Sequence, residues 1–512
     1  MTQVAVATTS ELAAGAAREV AALGGNAVDC ALTAALLTMN TQPGVCALAG
    51  GAFVTVWEPV GDPVTVDGNV AVPGKGSGRA RGRGAERVML EYGAGIETLV
   101  GAGSVAVPGS LAAVERAWQR FGRLPWRELF EPAIRAARDG FPLPAACHYY
   151  LGYSGDSIFG RSDDGHAALH DGDGALRAPG SPIHIPHLAD SLGEIAAEGA
   201  AAFYEGDLAR AMVGHVQAGE GSLTLDDLAS YEAIERPSLA VDVGDWTIAS
   251  TPPPAVGGSV LGAMLLALAD LPGSRWTREA LARLVDVQRA ALDFRRRRLD
   301  LAQDIGIEAA RLLELARTDR LLGRWRSSST VHTSAVDGDG IACAVTASSG
   351  YGSGEMPAGT GLWLNNCLGE LELNRRGLDA GPPGTRLPSN MAPTIARREG
   401  AVLAAGSPGA DRITTALLQF FVNTLQLGMS LDEAVAHPRL HVDTSGDTDR
   451  LMAEPGLELP ATDLPVTITP DLNMYFGGIG ATLVDRAAGF AVASDPRREG
   501  GTMIYEPDRT LQ

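Results

Sequence analysis

The chain has 512 residues, 45% of them apolar and 20% charged, with a formal charge of -20. That acidic balance excludes a nucleic-acid surface, which needs clustered Lys and Arg, and fits a soluble enzyme with a substantial core. Lys75 is the only lysine and lies in a Gly-rich loop, which suits neither a Schiff base nor a phosphate-binding loop.

The elements expected in chain order begin with two helices over residues 9–38. Ser10 caps the first, and Gly24-Gly25-Asn26 breaks them apart. A strand follows at 53–57, then a Gly/Arg-rich loop at 74–84 containing Arg79, Arg81 and Arg83. Helical periodicity returns at 109–121, between Pro108 and Gly122. Residues 155–185, rich in Gly, Asp and Ser, read as a surface excursion. Helices are expected within 188–217, 225–231, 258–270 and 277–301. Beyond about residue 320 the texture turns strand-rich: 330–336 and 341–347 form a hairpin about Asp337-Gly338-Asp339-Gly340. Strands at 392–397 and 401–405, helices at 411–427 and 430–436, and a strand pair at 481–485 and 489–493 complete the reading.

Cys30, Cys46, Cys147, Cys343 and Cys367 are scattered and include no CxxC pair, which argues against a disulfide framework or a zinc site. His437 and His441 are separated by Pro438, so they do not form a helical ligand pair. No metal and no cofactor are expected. The first residues show no secretory pattern and the apolar run at 30–38 is too short to span a bilayer, so the expected location is the cytoplasm, without a membrane partner.

The chemistry is concentrated around Ser327-Ser328-Ser329-Thr330-Val331-His332. Flexible polar residues lead into a threonine that opens a buried strand. A neutral threonine hydroxyl needs a base, and a free α-amine on the same residue supplies one with a pKa near neutrality. Cleavage between Ser329 and Thr330 would create it. His332 shares a strand face with Thr330 and reads as a packed, hydrogen-bonded histidine.

Several segments in the same order resemble the gamma-glutamyltransferase family. They are Gly24-Gly25-Asn26-Ala27-Val28-Asp29, Val107-Pro108-Gly109-Ser110, Gly122-Arg123-Leu124-Pro125-Trp126, Phe203-Tyr204-Glu205-Gly206 and Pro252-Pro253-Pro254 with Gly257-Gly258. Thr330-Val331-His332, Leu364-Asn365-Asn366, Met391-Ala392-Pro393-Thr394, Gly406-Ser407-Pro408-Gly409 and Ala493-Ser494-Asp495-Pro496-Arg497 continue the series. The resemblance implies an α+β fold, the four-layer αββα sandwich of the N-terminal-nucleophile hydrolases. It also implies self-cleavage into a 1–329 part and a 330–512 part that stay associated as one intertwined unit, acting on a small-molecule substrate. Assembly as a homodimer is left open.

By the same resemblance Thr330 is the nucleophile and Ser348 stands where a second threonine supports it. Gly409 and Ala410 stand where two glycines offer N–H groups to an oxyanion; alanine keeps that N–H. The substrate pocket departs from the family. Asn69 replaces an arginine that clamps a carboxylate, and an amide cannot supply that charged fork. Paired serines that hold the same carboxylate become Ser389 and Asn390. The glutamine and aspartate that hold an α-amine become Cys367 and Glu370. The Ser348–Gly352 segment is about two residues short, and Arg79, Arg81 or Arg83 is the candidate replacement for the lost clamp.

The expected activity is therefore hydrolysis or transfer of an acyl group other than γ-glutamyl. Relatives of that kind serve bacterial secondary-metabolite pathways and cleave amide bonds or the carbon–carbon bonds of keto acids. Two alternatives stand beside it: an orthodox enzyme of glutathione-like substrates, and an unprocessed, catalytically silent relative with a binding or structural role.

Overall fold

The computed structural model describes residues 2–91, 95–271, 275–318, 330–371, 373–410, 412–444 and 448–507. Two antiparallel sheets form its centre. The first runs in the order Gly501–Tyr505, Val4–Thr8, Val331–Asp337, Ala342–Ser348, Gly51–Trp57, Val64–Gly68 and Ile234–Pro237. The second runs Gly489–Ser494, Gly480–Asp485, Ala401–Gly406, Thr394–Arg398, Trp246–Ser250 and Leu239–Val243.

The strand compositions explain this stacking. Val331–Asp337 and Ala342–Ser348 are buried at every position, because one face meets helices and the other meets the second sheet. Val331, Ala335, Cys343, Val345 and Ala347 join the core under the helices. Val336, Ala342 and Ala344 pack with Ala249, Ile395, Val402 and Ala404 in the thin layer between sheets. Small residues dominate that layer and let the two sheets approach closely. Glu11–Ala22, Ala27–Thr41 and Ser110–Phe121 cover the first sheet; Gly257–Ala267 and Arg412–Phe421 cover the second, and Arg278–Phe294 packs on Gly257–Ala267. The architecture is the four-layer αββα sandwich.

Local signals hold where they rest on caps. Ser10 accepts from the Ala13 N–H, and Asn26 with Asp29 forms a reciprocal capping box at the start of Ala27–Thr41. Asp29 also accepts from the backbone of Arg123 and Leu124, which fixes the Gly122-Arg123-Leu124 turn against that helix. Burial raises the Asp29 carboxyl above its ordinary pKa, and these hydrogen bonds act against the rise.

One expectation needs correction. Residues 155–185 are not merely a surface excursion, for they include a short helix, Asp163–Leu169, and buried Ile158, Phe159, Leu169 and Ile183. The Phe159 ring fills the space a Cβ at Gly352 would need and sits 5.8 Å from Trp363.

The two parts of the chain are interleaved. Val4–Thr8 lies between Val331–Asp337 and Gly501–Tyr505, and the Thr8 and Thr333 hydroxyls meet at 3.0 Å. No described helix is long and apolar enough to cross a membrane.

Candidate functional site

Strand register assembles one row of the site. Val331 pairs with Ala347, Ser348 with Gly51, and Ala52 with Gly68. The next step along each strand brings Thr330, Ser348, Gly51 and Asn69 to the same end of the sheet. A Cβ at Gly51 would lie 2.8 Å from the Asn69 Oδ1, so that position must remain bare for Asn69 to sit there. Thr330 is 3% exposed and lines a pocket of about 410 Å³, counting its open mouth. Ser348, Asn69, Cys367, Glu370, Ser389, Asn390 and Ala410 line the same pocket. Gly409 directly precedes Ala410. Ser329 lies outside the described residues, as does Asp411.

The second sheet supplies the facing wall. Strand Ala401–Gly406 runs out into Ser407-Pro408-Gly409-Ala410, and helix Arg412–Phe421 begins just beyond. Gly409 has φ +116° and Ala410 φ +65°. Both lie in the left-handed region, where a Cβ costs roughly 1–2 kcal/mol. At Gly409 a Cβ would also meet the Gly477 Cα at 2.9 Å. The loop is braced from below. The Gly478 N–H donates to Ser407 Oγ at 3.1 Å, and Arg412 donates to the Tyr475 carbonyl at 2.9 Å while stacking on its ring. The 475–478 segment is held in turn by Arg439, which donates to the Phe476 carbonyl and pairs with Asp495 at 2.6 Å. With its start beside the loop, helix Arg412–Phe421 presents its positive N-terminal dipole to Gly409 and Ala410.

His332 links the two sheets. Its Nδ1 lies 2.8 Å from Thr346 Oγ1 and its Nε2 2.7 Å from Ser334 Oγ, which donates to the Gly480 carbonyl. A Cβ on Gly406 would collide with the imidazole ring, 2.2 Å from Cε1. Complete burial lowers the His332 pKa to about 3, so the ring is neutral. It is the packed, hydrogen-bonded histidine that its strand position implies.

The pocket floor comes from the Asn365–Asn374 turns. Asn365 donates to the Ala49 and Ala106 carbonyls, and its Oδ1 accepts from the Cys367 N–H. Asn366 donates to Thr98 and the Leu99 carbonyl and accepts from the Tyr351 N–H at 2.7 Å. Gly350, at φ +69°, leaves room for the Glu370 carboxylate, whose Oε2 would lie 3.0 Å from a Cβ there. The Cys367 thiol is pushed well up by burial, then by the Glu370 charge and a hydrogen bond with it.

The Asn69 Nδ2 donates to the Leu387 carbonyl at 2.7 Å and its N–H to Asp67. The Ser389 carbonyl accepts from Val256 and Gly257 at the start of helix Gly257–Ala267, where a Cβ at Gly257 would lie 2.2 Å from the Asn390 carbonyl oxygen and one at Gly258 2.1 Å from that of Thr251.

The Arg-rich loop does not enter the pocket. Arg79 donates to the Gln217 carbonyl, Arg81 to the Gly381 carbonyl, and Arg83 pairs with Glu220 at 2.7 Å, so each guanidinium already has a partner elsewhere. Sequence reasoning did not single out Val70, Leu373, Asn374, Leu387 and Pro388, which also line the pocket, and it named Met391 only as the start of the Met391-Ala392-Pro393-Thr394 motif. The only available signal was their adjacency to Asn69, Glu370 and Ser389. Among the described residues no group of three or more His, Cys, Asp or Glu is placed to hold a metal ion. His441 instead lies 3.0 Å from Thr415 Oγ1.

A family model described as gamma-glutamyltranspeptidase matches residues 13–505. The chain belongs to this family. It is 30% identical to the glutathione hydrolase proenzyme of Pseudomonas aeruginosa, with 98% of this chain and 95% of that protein covered. The glutathione hydrolase proenzyme of Escherichia coli is 27% identical, over 91% and 88% of the two chains. Among solved structures, the cephalosporin acylase from Bacillus halodurans superposes with a TM-score of 0.80 at 23% identity, covering 99% of this chain and 96% of that one. This likeness establishes the shared fold. As a gamma-glutamyltranspeptidase-family protein, the chain is an enzyme of the N-terminal-nucleophile hydrolase and transferase type.

Three measurements follow from this geometry. Ala410→Gly keeps the N–H and removes a left-handed alanine, so thermal unfolding should show a gain of about 1 kcal/mol. Gly409→Ala should destabilise the loop and lower turnover at least tenfold, because its Cβ collides with Gly477. The lowered His332 pKa means that the unfolded chain binds the extra proton between pH 6.5 and about 3. Its contribution to stability is therefore complete above pH 6.5 and declines as pH falls through that window, at up to roughly 1.4 kcal/mol per pH unit. Denaturant titrations of His332→Gln should lack that component.

Proposed function

We propose that this chain is a self-processing threonine hydrolase or acyltransferase that acts on an acyl group other than γ-glutamyl. The observation that carries the reading is the pocket around Thr330: Ser348 and Ala410 line it, and no cationic side chain does so among the described residues.

In the proposed cycle the Thr330 hydroxyl first attacks the Ser329 carbonyl. The peptide C–N bond breaks as the ester forms, which frees the Thr330 α-amine, and water then hydrolyses the ester, leaving Ser329 as a carboxylate and restoring the Thr330 hydroxyl. That amine then accepts the hydroxyl proton as Thr330 Oγ1 attacks the substrate carbonyl, while the Gly409 and Ala410 N–H groups receive the developing oxyanion. Collapse breaks the scissile bond, and the leaving group takes the proton. Water or an acceptor amine next attacks the acyl ester, and Thr330 regains its hydroxyl. Breaking an amide or the carbon–carbon bond of a keto acid makes the same demand on the nucleophile and the oxyanion groups.

A biosynthetic role in the cytoplasm is the setting this reading favours, supported by five buried free thiols. Glutathione-like substrates are the second reading, favoured by the curated names of the relatives. Against it, the Asn69 amide is committed to the Leu387 carbonyl and supplies no charged clamp.

Intact-mass measurement with N-terminal sequencing of the purified protein should find a fragment beginning Thr-Val-His, and Thr330→Ala should remain one chain. An uncut wild type would instead indicate the silent relative. With a free α-amine as base, kcat/KM should rise with pH through an apparent pKa near 7.7–8.0 and then level off. Acyl turnover with no such limb would remove the amine from its assigned role.

A further inference from the structure

We propose that a cavity at the end of the sandwich remote from Thr330 binds a doubly charged oxyanion, a phosphate group in its simplest form. The inference goes beyond the acyl chemistry above and does not rest on it. Three observations carry it.

The first is the place of the cavity in the fold. It measures about 570 Å³, counting its open mouth. Strand Val331–Asp337 runs from beside Thr330 to the turn at 337–340, which forms one wall. Strand Ala401–Gly406 starts at the other wall and ends at the 407–410 loop. Each sheet therefore contributes one side. Gly400, at φ +78°, lets the Arg486 side chain pass across it, with Cδ 4.0 Å from where a Cβ would lie.

The second is Arg397, near the end of strand Thr394–Arg398. A guanidinium carries its N–H donors in a fixed fork and keeps its charge. The Arg397 Nη2 donates to the Gly340 and Trp57 carbonyls at 2.8 and 3.2 Å, and the group stacks 5.1 Å above the Trp57 ring. Those bonds leave Nη1 and Nε without an acceptor among the described residues, and Nε is buried. No carboxylate among those residues pairs with Arg397, and burial alone lowers its pKa from the ordinary value. An unpaired, partly buried cation carries a desolvation cost that an anion offsets through charge-assisted hydrogen bonds.

The third is the charge around it. Arg398 and Arg486 line the same cavity. Arg398 is held by Asp485 at 3.1 Å, and its Nε is likewise buried without a partner among the described residues. Arg486 is exposed, and its side chain makes no hydrogen bond or ion pair among those residues. The two carboxylates of the lining are already engaged. Asp337 accepts from the Ala27, Asp339 and Ile341 N–H groups, and Asp339 pairs with Arg123 at 3.0 Å. Burial also raises the Asp337 carboxyl above its ordinary pKa. Arg397 and Arg486 thus bring two uncompensated positive charges to one space, in a chain whose formal charge is -20. Two guanidiniums match a phosphate group in charge and in fork geometry, whereas a monoanion would satisfy only one.

The test is isothermal titration calorimetry of the purified full chain at constant ionic strength and about pH 8, where phosphates are doubly charged. Inorganic phosphate, glycerol 2-phosphate and acetate are the probes. The two phosphates should saturate a single site, and acetate should bind about tenfold more weakly. Arg397→Gln should weaken phosphate binding about tenfold or more. Arg486→Gln, an exposed change that leaves the fold intact, should weaken it about two- to fivefold. Arg210→Gln should change nothing, since Arg210 pairs with Asp207 outside the cavity. If Arg397→Gln does not fold, Arg486→Gln decides alone. Saturation by the free ion only identifies inorganic phosphate as the ligand, and saturation by the ester only a phosphorylated metabolite; either supports the proposal. Three results overturn it: no saturable binding, acetate as tight as phosphate, or unchanged affinity in the folded cavity variants. Self-cleavage and acyl turnover are not read, so its failure leaves the Thr330 assignment untouched.

Discussion

The backbone ladder between Val331–Asp337 and its neighbours is the constraint on which the site depends. Because side chains alternate along a strand, a slip of one residue would turn Thr330 from the second sheet toward the helices. The pairing of Val331 with Ala347, and of Ser348 with Gly51, holds that register from one side. On the other side Val4–Thr8 pairs residue for residue with 333–337. His332 adds a check at right angles to the ladder, since its ring fits only against a residue without a Cβ, Gly406. One histidine thus sets the spacing between the strand that opens after Thr330 and the strand that leads to Gly409 and Ala410.

The opposite wall is stabilised by a different means. There the loop follows backbone angles that side chains disfavour, so it must be held by what surrounds it. Ser407, Arg412 and the 475–478 segment do this with directed hydrogen bonds. Beneath them Arg439, Glu454, Asp495 and Arg497 form a buried, mutually paired set. Asp495 remains ionised there because the two guanidiniums and two backbone N–H groups outweigh the burial that would raise its pKa. Such a set gives geometry more than net stability.

Much of this was legible in the sequence, for identifiable reasons. Helix starts at Ser10 and Asn26 follow from side-chain caps, which are local. The Val331–Ser348 hairpin follows from its Asp-Gly turn and alternation. Asn69, Ser348, Cys367, Glu370, Ser389, Asn390 and Ala410 were reached through the resemblance to the family, which Gly and Pro motifs near them carry, although they are dispersed along the chain. Strands such as Val4–Thr8 and Gly501–Tyr505 were not found. They are short and buried or half-buried on both faces, and only tertiary pairing distinguishes them from loop. The reach of Arg79, Arg81 and Arg83 was misjudged because carbonyls at Gln217 and Gly381, far away in sequence, already engage two of them.

The interleaving of the first sheet determines the order in which this molecule can be made. A chain beginning at Thr330 and produced by itself would lack Val4–Thr8 between two of its strands and Gly51–Trp57 beside a third. It would present unpaired edges to any similar strand in solution, the arrangement that leads to aggregation. Interleaving of this kind favours folding as one continuous polymer, with the proposed break before Thr330 coming only afterwards. The proposed break would free a chain end without freeing a subunit, because separation would require several strands to be withdrawn from the middle of a sheet at once. Genetic reassembly from two separately expressed pieces would face the same obstacle in reverse.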